Sequence, residues 1–542
     1  MADQALAEDA DLAELRLARR EHWVAQLERH AAARHGQPAF RFRGTTRTWR
    51  QFADRVGRLA GAFASRGVRH GDRVAVMTGN CPEFLEAVLA ANVLGAIAVP
   101  LNFRLSGPEA AFVLDDSGAT VLVVDGMCGP TAGAALAQLS QRPAVLAIGP
   151  TEGAVAGSRA YEAAIAEATA PAARVDVAED AAALIMYTSG TTGRPKGAVL
   201  THHNLRAQCL TGIRAQHLVH DDEVNLVTSP LFHIAGVGAV APSIMNGTTT
   251  VIVPTGAFDS ARLLELIEAE GVTSMFLVPA QWQAVCDDPT LPQRDLSRLR
   301  AIGWGAAPAS DSLLRQMGRC FPGALIVALF GQTEMSPVTC ALEGKDALRK
   351  LGSVGRPVPG VLARVVDGDM RDVPAGEVGE IVYRGPGLMR EYWNKPAATA
   401  EAFRGGWFHS GDLVTRDEDG YVWVVDRVKD MIISGGENIY CAEVENALAG
   451  HPSVAEVSVV GQPDARWGET PVAFVALRQP ATSLSLAELR AEASARLARY
   501  KLPTALVILA TLPRNASGKV LKGELRKLCP ATVKAHTASS GD

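Results

Sequence analysis

The sequence predicts an α/β protein: a large N-terminal domain of layered sheets and helices with a small β-barrel-like unit, followed by a small α+β C-terminal domain. Three observations predict it. Short β-branched runs alternate with Ala/Leu-rich stretches of helical length through most of the chain, the pattern of parallel strands buried on both faces. Near residue 355 the alternation gives way to strands set among turn residues. Beyond Arg427, strands and helices alternate again over a stretch the size of a separate small domain.

Taken in order, Leu12, Leu15, Trp23 and Leu27 lie at helical spacing and predict one amphipathic helix over Leu12–Ala33. Val74–Met77, Ile97–Pro100, Thr120–Val124 and Ala183–Tyr187 read as strands, with a helix over Glu83–Leu94. Thr249–Val253, Ala261–Glu270 and Ser274–Val278 continue the strand–helix–strand pattern. Gly379–Arg384 and Tyr421–Val425 predict the small antiparallel β unit. Val454–Val460, Val472–Leu477, Leu484–Ala498 and Leu506–Leu509 make up the last domain. The expected division is an N-terminal domain over 1–427, a C-terminal domain over 428–530, and a polar, small-residue tail over 531–542 that is expected to be disordered.

Composition narrows the function classes. At 48% hydrophobic and 20% charged residues, with a net charge of −5 and no basic stripe, the chain reads as a globular enzyme and not as a nucleic-acid binder. The 8 cysteines are scattered singly with no C-x-x-C pair, which excludes a zinc knuckle or dithiol motif and fits a reducing cytoplasm. No apolar signal segment opens the sequence. The uncharged stretch Ala87–Phe103 contains Asn92, Gly95, Pro100 and Asn102 and falls short of the roughly 20 apolar residues a membrane span needs. It reads as a buried helix running into a buried strand, as does the broken apolar stretch Val224–Phe258 as core strands and loops. No transmembrane segment is expected; peripheral membrane contact and a homodimer stay open.

The strongest local signal is Tyr187-Thr-Ser-Gly-Thr-Thr-Gly-Arg-Pro-Lys-Gly197, which follows a strand. Glycines let backbone N–H groups converge into a nest for phosphate oxygens. Ser189, Thr191 and Thr192 add hydroxyl donors, and Lys196 adds a point charge. The string asks for a polyphosphate. It is not a Walker loop, because Lys196 is preceded by Pro195 and followed by Gly197. Nor is Gly303-Trp-Gly-Ala-Ala-Pro308 a dinucleotide loop, because its last position is proline.

That string resembles the phosphate loop of the adenylate-forming superfamily, whose members include acyl-CoA synthetases, luciferases and peptide-synthetase adenylation domains. Further segments resemble the family's motifs in order: Pro230-Leu-Phe-His-Ile-Ala-Gly236, Gly303–Pro308, Phe330-Gly-Gln-Thr-Glu334, Trp407-Phe-His-Ser-Gly-Asp412, Asp426-Arg-Val-Lys-Asp-Met-Ile-Ile-Ser-Gly-Gly-Glu-Asn-Ile-Tyr440 and Pro513-Arg-Asn-Ala-Ser-Gly-Lys519. The likeness is greatest to actinobacterial fatty-acid–CoA ligases of the FadD type. It implies the adenylate-forming fold with a mobile C-terminal domain, and an AMP-forming acyl-CoA synthetase using ATP, Mg²⁺ and coenzyme A on a small carboxylic acid.

The resemblance also implies roles. Thr188, Ser189, Gly190, Thr191, Thr192 and Lys196 would hold the phosphates. Gly305, Ala306 and Ala307 would lie against the base and Phe330, Gly331 and Gln332 beside it. Thr333 would donate to the α-phosphate and Glu334 would ligate Mg²⁺. Asp412 and Arg427 would hold the ribose, and Lys519 would supply charge at the α-phosphate and incoming carboxylate. Lys429 would be the hinge, where many relatives carry Asp. Rotation there would exchange Lys519 for Ser434, Gly435 and Gly436 on the coenzyme A side. Cys441 stands where many relatives have proline and reads as a small buried hydrophobe. His233, Ile234 and Trp304 would wall the acyl pocket, His233 positioning the carboxylate or phosphate without transferring a proton.

For the acid itself, Phe232–Val240, Trp304–Ala307 and Met335–Thr339 hold no cation besides His233, which suits an apolar chain. Gly236, Gly238 and Gly305 leave room for a tunnel. The expectation is a medium- or long-chain fatty acid; the alternative is an aryl acid of the hydroxycinnamate or feruloyl type, stacked on Trp304. Only a short stretch follows Lys519, so no carrier domain is expected after it, and no G-x-S-x-G supports a serine hydrolase.

Overall fold

A computed structural model describes residues 14–149, 155–168, 175–188, 195–307, 309–347, 349–428, 430–435, 437–478, 483–494, 496–514 and 520–530. The expected tail over 531–542 lies outside them. Contacts divide the chain into two compact units, Met1–Ala363 with Tyr383–Phe408, and Arg364–Val382 with His409–Asp542. This grouping differs from a single step at 427/428. It puts most of the small β unit with the C-terminal part.

The first unit holds two large sheets. One has eight strands, running from edge to edge as Glu391–Tyr392, Lys196–Thr201, Ala182–Thr188, Ile97–Pro100, Arg73–Met77, Val121–Asp125, Ala144–Ile148 and Arg159–Ala160. Its pairings are parallel except at the first edge, where Ala182–Thr188, Lys196–Thr201 and Glu391–Tyr392 pair antiparallel. Arg73–Met77 and Ile97–Pro100 are buried nearly throughout, as continuous apolar strands between helices must be. The helix Pro82–Val93 joins them with Pro82 in its first turn, where no N–H is needed. The uncharged stretch around Ala87–Phe103 is therefore a buried helix and strand, as read. Among the described residues no helix is long and apolar enough to cross a membrane.

The second sheet has nine strands, ordered Arg356–Pro357, Val338–Glu343, Leu325–Gly331, Ala301–Gly305, Ser274–Leu277, Val224–Val227, Thr249–Ile252, Pro38–Phe42 and Thr45–Thr48. Its interior pairings are parallel and its two ends antiparallel. The expected single N-terminal helix is interrupted. The chain leaves helical geometry before Glu21, and a new helix, Trp23–Ala33, begins with His22 as its N-cap, its Nδ1 accepting from the Ala25 N–H at 3.2 Å.

The second unit contains a four-stranded sheet ordered Leu362–Val366, Gly379–Arg384, Phe408–Arg416 and Val422–Arg427. It also contains an α+β subdomain built on the long antiparallel pair Val454–Asp464 and Gly468–Leu477, with Ala505–Leu509 added in parallel. The helices Cys441–Leu448, Leu486–Ser494 and Lys522–Lys527 belong to it. Val459, Ala473 and Val475 form one core with Leu448 and Leu489, while Val460, Val472 and Phe474 form another with Leu525. The two cores lie on opposite faces because strand side chains alternate.

Candidate active site

In the first unit, the antiparallel strands Ala182–Thr188 and Lys196–Thr201 carry the ends of the phosphate loop and bring Thr188 opposite Lys196. Ser189, Gly190, Thr191 and Thr192 lie outside the described residues. Gly197 is required by close approach, since a Cβ there would stand 2.5 Å from Ile185 Cγ2 and 3.2 Å from the Tyr187 ring. Tyr187 donates to Asp116 Oδ2 at 2.7 Å, Lys395 pairs with Asp116 Oδ1 at 2.7 Å, and Trp393 Nε1 donates to the Asp116 carbonyl at 3.0 Å. The loop's base is thus anchored by residues sequence reading missed, because Asp116 and Lys395 are remote in the chain and belong to no motif. Lys196 forms no ion pair among the described residues; its Nζ lies 5.3 Å from the centroid of the Tyr392 ring.

Thr333 and Glu334 open a single 3-10 turn, Thr333–Met335, after the strand that ends Phe330-Gly331. Glu334 is buried, and its Oε1 accepts from the Tyr392 hydroxyl at 2.9 Å, while its Oε2 has no hydrogen-bond partner among the described residues. Gly331 is forced by backbone, since a Cβ would fall 1.8 Å from the Pro337 carbonyl oxygen; the Gln332 N–H donates to that same oxygen at 2.9 Å. A buried carboxylate with one free oxygen suits magnesium, which is usually held by one or two carboxylates plus substrate phosphates. Among the described residues no group of three or more His, Cys, Asp or Glu could hold a metal by itself.

The strand Ala301–Gly305 is followed by Ala306, whose φ of 64° is left-handed and uncommon for a residue with a side chain. That turn leaves Ala306 and Ala307 exposed. Gly305 has a packing reason of its own: a Cβ would lie 2.2 Å from the Leu329 carbonyl oxygen.

His233 caps the helix Ile234–Asn246, its Nδ1 accepting from the Ala235 N–H at 3.1 Å, and Ile234 is buried at the first helical position. Burial pushes the imidazole below its ordinary range, so it is neutral. With Nδ1 accepting, the ring proton is assigned to Nε2, which has no partner among the described residues and is a free donor. Next to it in sequence, Phe232 meets Phe103 edge-on at 5.2 Å.

Trp304 is buried and does not share a face with Gly303 and Gly305. Neighbouring strand residues point oppositely, and the positions of Gly303 and Gly305 both abut Phe276, whereas Trp304 is level with Leu277 and Ala328. Gly236, Gly238 and Gly305 owe their missing Cβ to close packing. At Gly236 a Cβ would meet the Pro230 carbonyl oxygen at 2.3 Å and at Gly238 it would meet Pro337 Cδ at 3.1 Å. All three glycines are filled by neighbours.

In the second unit, Asp412 and Arg427 are directly opposite on paired strands, and Arg427 Nε lies 2.9 Å from Asp412 Oδ1. The two expected ribose contacts are thus brought together. Glu380 organises the preceding turn, accepting from the Gly411 N–H at 2.9 Å and pairing with His409 Nδ1 at 2.7 Å. Ser434 is buried; Gly435 turns the chain with φ 61° and donates to the Trp467 carbonyl at 2.7 Å. Cys441 is a buried thiol pushed up to about 12 by burial, and it stays protonated as a small core group. Lys429, Gly436 and Lys519 lie outside the described residues. The helix that follows Lys519, Lys522–Lys527, is held by Lys522 to Glu445 at 3.0 Å and by Arg526 to Asp430 at 2.8 Å.

Comparison with known proteins decides the family. Residues 27–393 match the model of the AMP-binding enzymes, and residues 443–519 match that of the AMP-binding enzyme C-terminal domain. The chain belongs to the AMP-binding enzymes. Over 93% of its length this AMP-binding enzyme is 42% identical to a feruloyl-CoA synthase of Amycolatopsis sp, covering 97% of that protein. It is 40% identical to an indoleacetate–CoA ligase of Aromatoleum aromaticum, over 93% of this chain and 97% of that one. It is 37% identical to the long-chain-fatty-acid–CoA ligase FadD13 of Mycobacterium tuberculosis, over 90% and 94%. Among solved structures it resembles the o-succinylbenzoate–CoA synthetase of Bacillus subtilis in complex with ATP and magnesium ion, at TM-score 0.79 and 31% identity, over 92% of this chain and 99% of that one. This AMP-binding enzyme is an AMP-forming acid–CoA ligase acting through an acyl-adenylate; the family's reaction uses ATP, magnesium and coenzyme A.

Proposed function

We propose that the enzyme activates an aryl-substituted carboxylic acid of the hydroxycinnamate type, exemplified by ferulate, and transfers it to coenzyme A. The observation that carries this reading is the identity of 42% and 40%, each over 93% of the chain, to ligases named for feruloyl and indoleacetyl acids. The packed glycines at 236, 238 and 305 support it, since they remove the argument for a long apolar tunnel. So does the edge-on pair Phe103 and Phe232 beside His233, because aromatic rings pack well against a planar substrate. A fatty acid is the second reading, favoured by the 37% identity to FadD13.

In this reading the carboxylate attacks the α-phosphorus of ATP, an anion approaching a polyanion, and fixed positive charge and donors lower that barrier. Lys196 and the loop Thr188–Thr192 hold the phosphates, and Lys519 supplies charge where the two anions meet. Glu334 would hold the magnesium, which neutralises phosphate charge when bound. Thr333 donates to the α-phosphate; Gly305, Ala306, Ala307, Phe330, Gly331 and Gln332 line the base. Asp412 and Arg427 take the ribose hydroxyls. His233 Nε2–H, a neutral donor, orients the acid or phosphate without changing its own protonation. Ser434, Gly435 and Gly436 border the pantetheine path, and Lys429 is the hinge. With every cysteine free, the enzyme fits a reducing cytoplasm.

The test is a panel of acids assayed by pyrophosphate release with and without coenzyme A. Ferulate, coumarate and indoleacetate are expected to support turnover, with AMP release completed only when coenzyme A is present. Turnover confined to straight-chain acids from octanoate to stearate would replace this reading with the second.

A further inference from the structure

Tyr392 lies outside the motifs named above, yet it touches both charged groups assigned above to the ATP phosphates and their metal. Its hydroxyl donates to Glu334 Oε1 at 2.9 Å, and its ring face lies 5.3 Å from Lys196 Nζ, within cation–π range. Its own position is fixed from three sides. It pairs with Ala198 on the strand leaving the phosphate loop, and the next residue, Trp393, donates its N–H to the Gly197 carbonyl at 2.7 Å. Its N–H donates to Thr399 Oγ1 at 3.0 Å. The same segment holds the backbone of Glu334, whose carbonyl accepts from the Met389 N–H at 2.7 Å. The carboxylate is thus gripped through one oxygen while Oε2 is left without a partner among the described residues.

We infer that Tyr392 is a positioning residue for nucleotide and metal: its hydroxyl fixes Glu334 so that Oε2 is presented to the magnesium of ATP, and its ring steadies Lys196 at a set distance from that carboxylate. This rests on the reading of Glu334 as metal ligand and Lys196 as phosphate cation. The chemistry is that of an outer partner that orients a ligating carboxylate. The bond runs from the phenol O–H, its donor, to a carboxylate oxygen, which accepts.

The experiment measures binding, not turnover. The dissociation constant of α,β-methylene-ATP for the full-length protein is determined by calorimetry in EDTA and in magnesium, and the ratio of the two reports the metal's contribution. Tyr392→Phe keeps the ring and removes the hydroxyl. It is expected to cut that ratio by about ten-fold while leaving the EDTA value unchanged. Tyr392→Leu is expected to cut the ratio equally and also to weaken binding in EDTA, because Lys196 loses its platform. Glu334→Gln is the reference. If Glu334→Gln cuts the ratio and Tyr392→Phe does not, Tyr392 has no positioning role and the metal reading survives. If Glu334→Gln leaves the ratio intact, the metal reading itself fails and the inference falls with it.

Discussion

Gly305 shows how a single residue can carry packing that looks like function. Its missing Cβ would stand 2.2 Å from the Leu329 carbonyl oxygen, a backbone atom that cannot move aside as a side chain can. Gly305→Ala is therefore expected to lower stability by about 1–3 kcal/mol, read as a fall of several degrees in the thermal midpoint. At Asp412 the loss is one of binding. Asp412→Ala leaves Arg427 without its partner at 2.9 Å and, in the proposed reading, removes the ribose acceptor. AMP affinity is expected to fall by roughly 10- to 100-fold, measured by calorimetry.

His202 carries a pH dependence. It is buried with both ring nitrogens unpartnered among the described residues, lies 4.9 Å from the ring of His22, and is pushed down from 6.5 to about 3 by burial and, to a smaller degree, by His22. The unfolded chain takes up a proton there as pH falls below 6.5, and the folded protein does not until about 3. The stability is thus fully present above 6.5 and declines as pH falls, by up to about 1.4 kcal/mol per unit. His202→Gln should flatten the midpoint-against-pH curve between neutrality and pH 5, and an unchanged slope would remove His202 as its cause.

At the scale of elements, the helix Lys522–Lys527 depends on two ion pairs more than on its six residues. Lys522 is raised above its ordinary range despite burial, by Glu445 first, with Asp426 contributing. Glu445→Gln leaves a buried ammonium short of its main counter-charge. It is expected to destabilise the second unit by about 3–5 kcal/mol and to speed amide exchange over 520–530. Alternating strands and helices were legible because parallel strands buried on both faces leave continuous apolar runs such as Val74–Met77. The break before His22 was not, because helical spacing runs through it and only the cap marks the start of the new helix. The period of two along Gly303-Trp304-Gly305 already sets the tryptophan on the opposite face from its neighbours.

For the whole molecule, the motifs that carry chemistry stood out because each is contiguous: the loop Tyr187–Gly197, Phe330–Glu334 and Phe408–Asp412. What holds them does not. Asp116 anchors Tyr187, Tyr392 anchors Glu334, and Glu380 anchors Gly411 across separations of 71, 58 and 31 positions, which only folding brings together. The acid was the least legible part, since glycine in a sequence reads equally as open space or as close packing. In the catalytic account, Lys519→Ala is expected to abolish adenylate formation while largely sparing thioester synthesis from supplied acyl-adenylate, followed by mass spectrometry of the two half-reactions.

The central claim is that an aryl acid is the preferred substrate of this acid–CoA ligase. The most direct test offers ferulate and dodecanoate at equal concentration to the full-length enzyme with ATP, magnesium and limiting coenzyme A, and measures the ratio of the two thioesters formed. Feruloyl-CoA in clear excess is the predicted result; dodecanoyl-CoA in excess would contradict it.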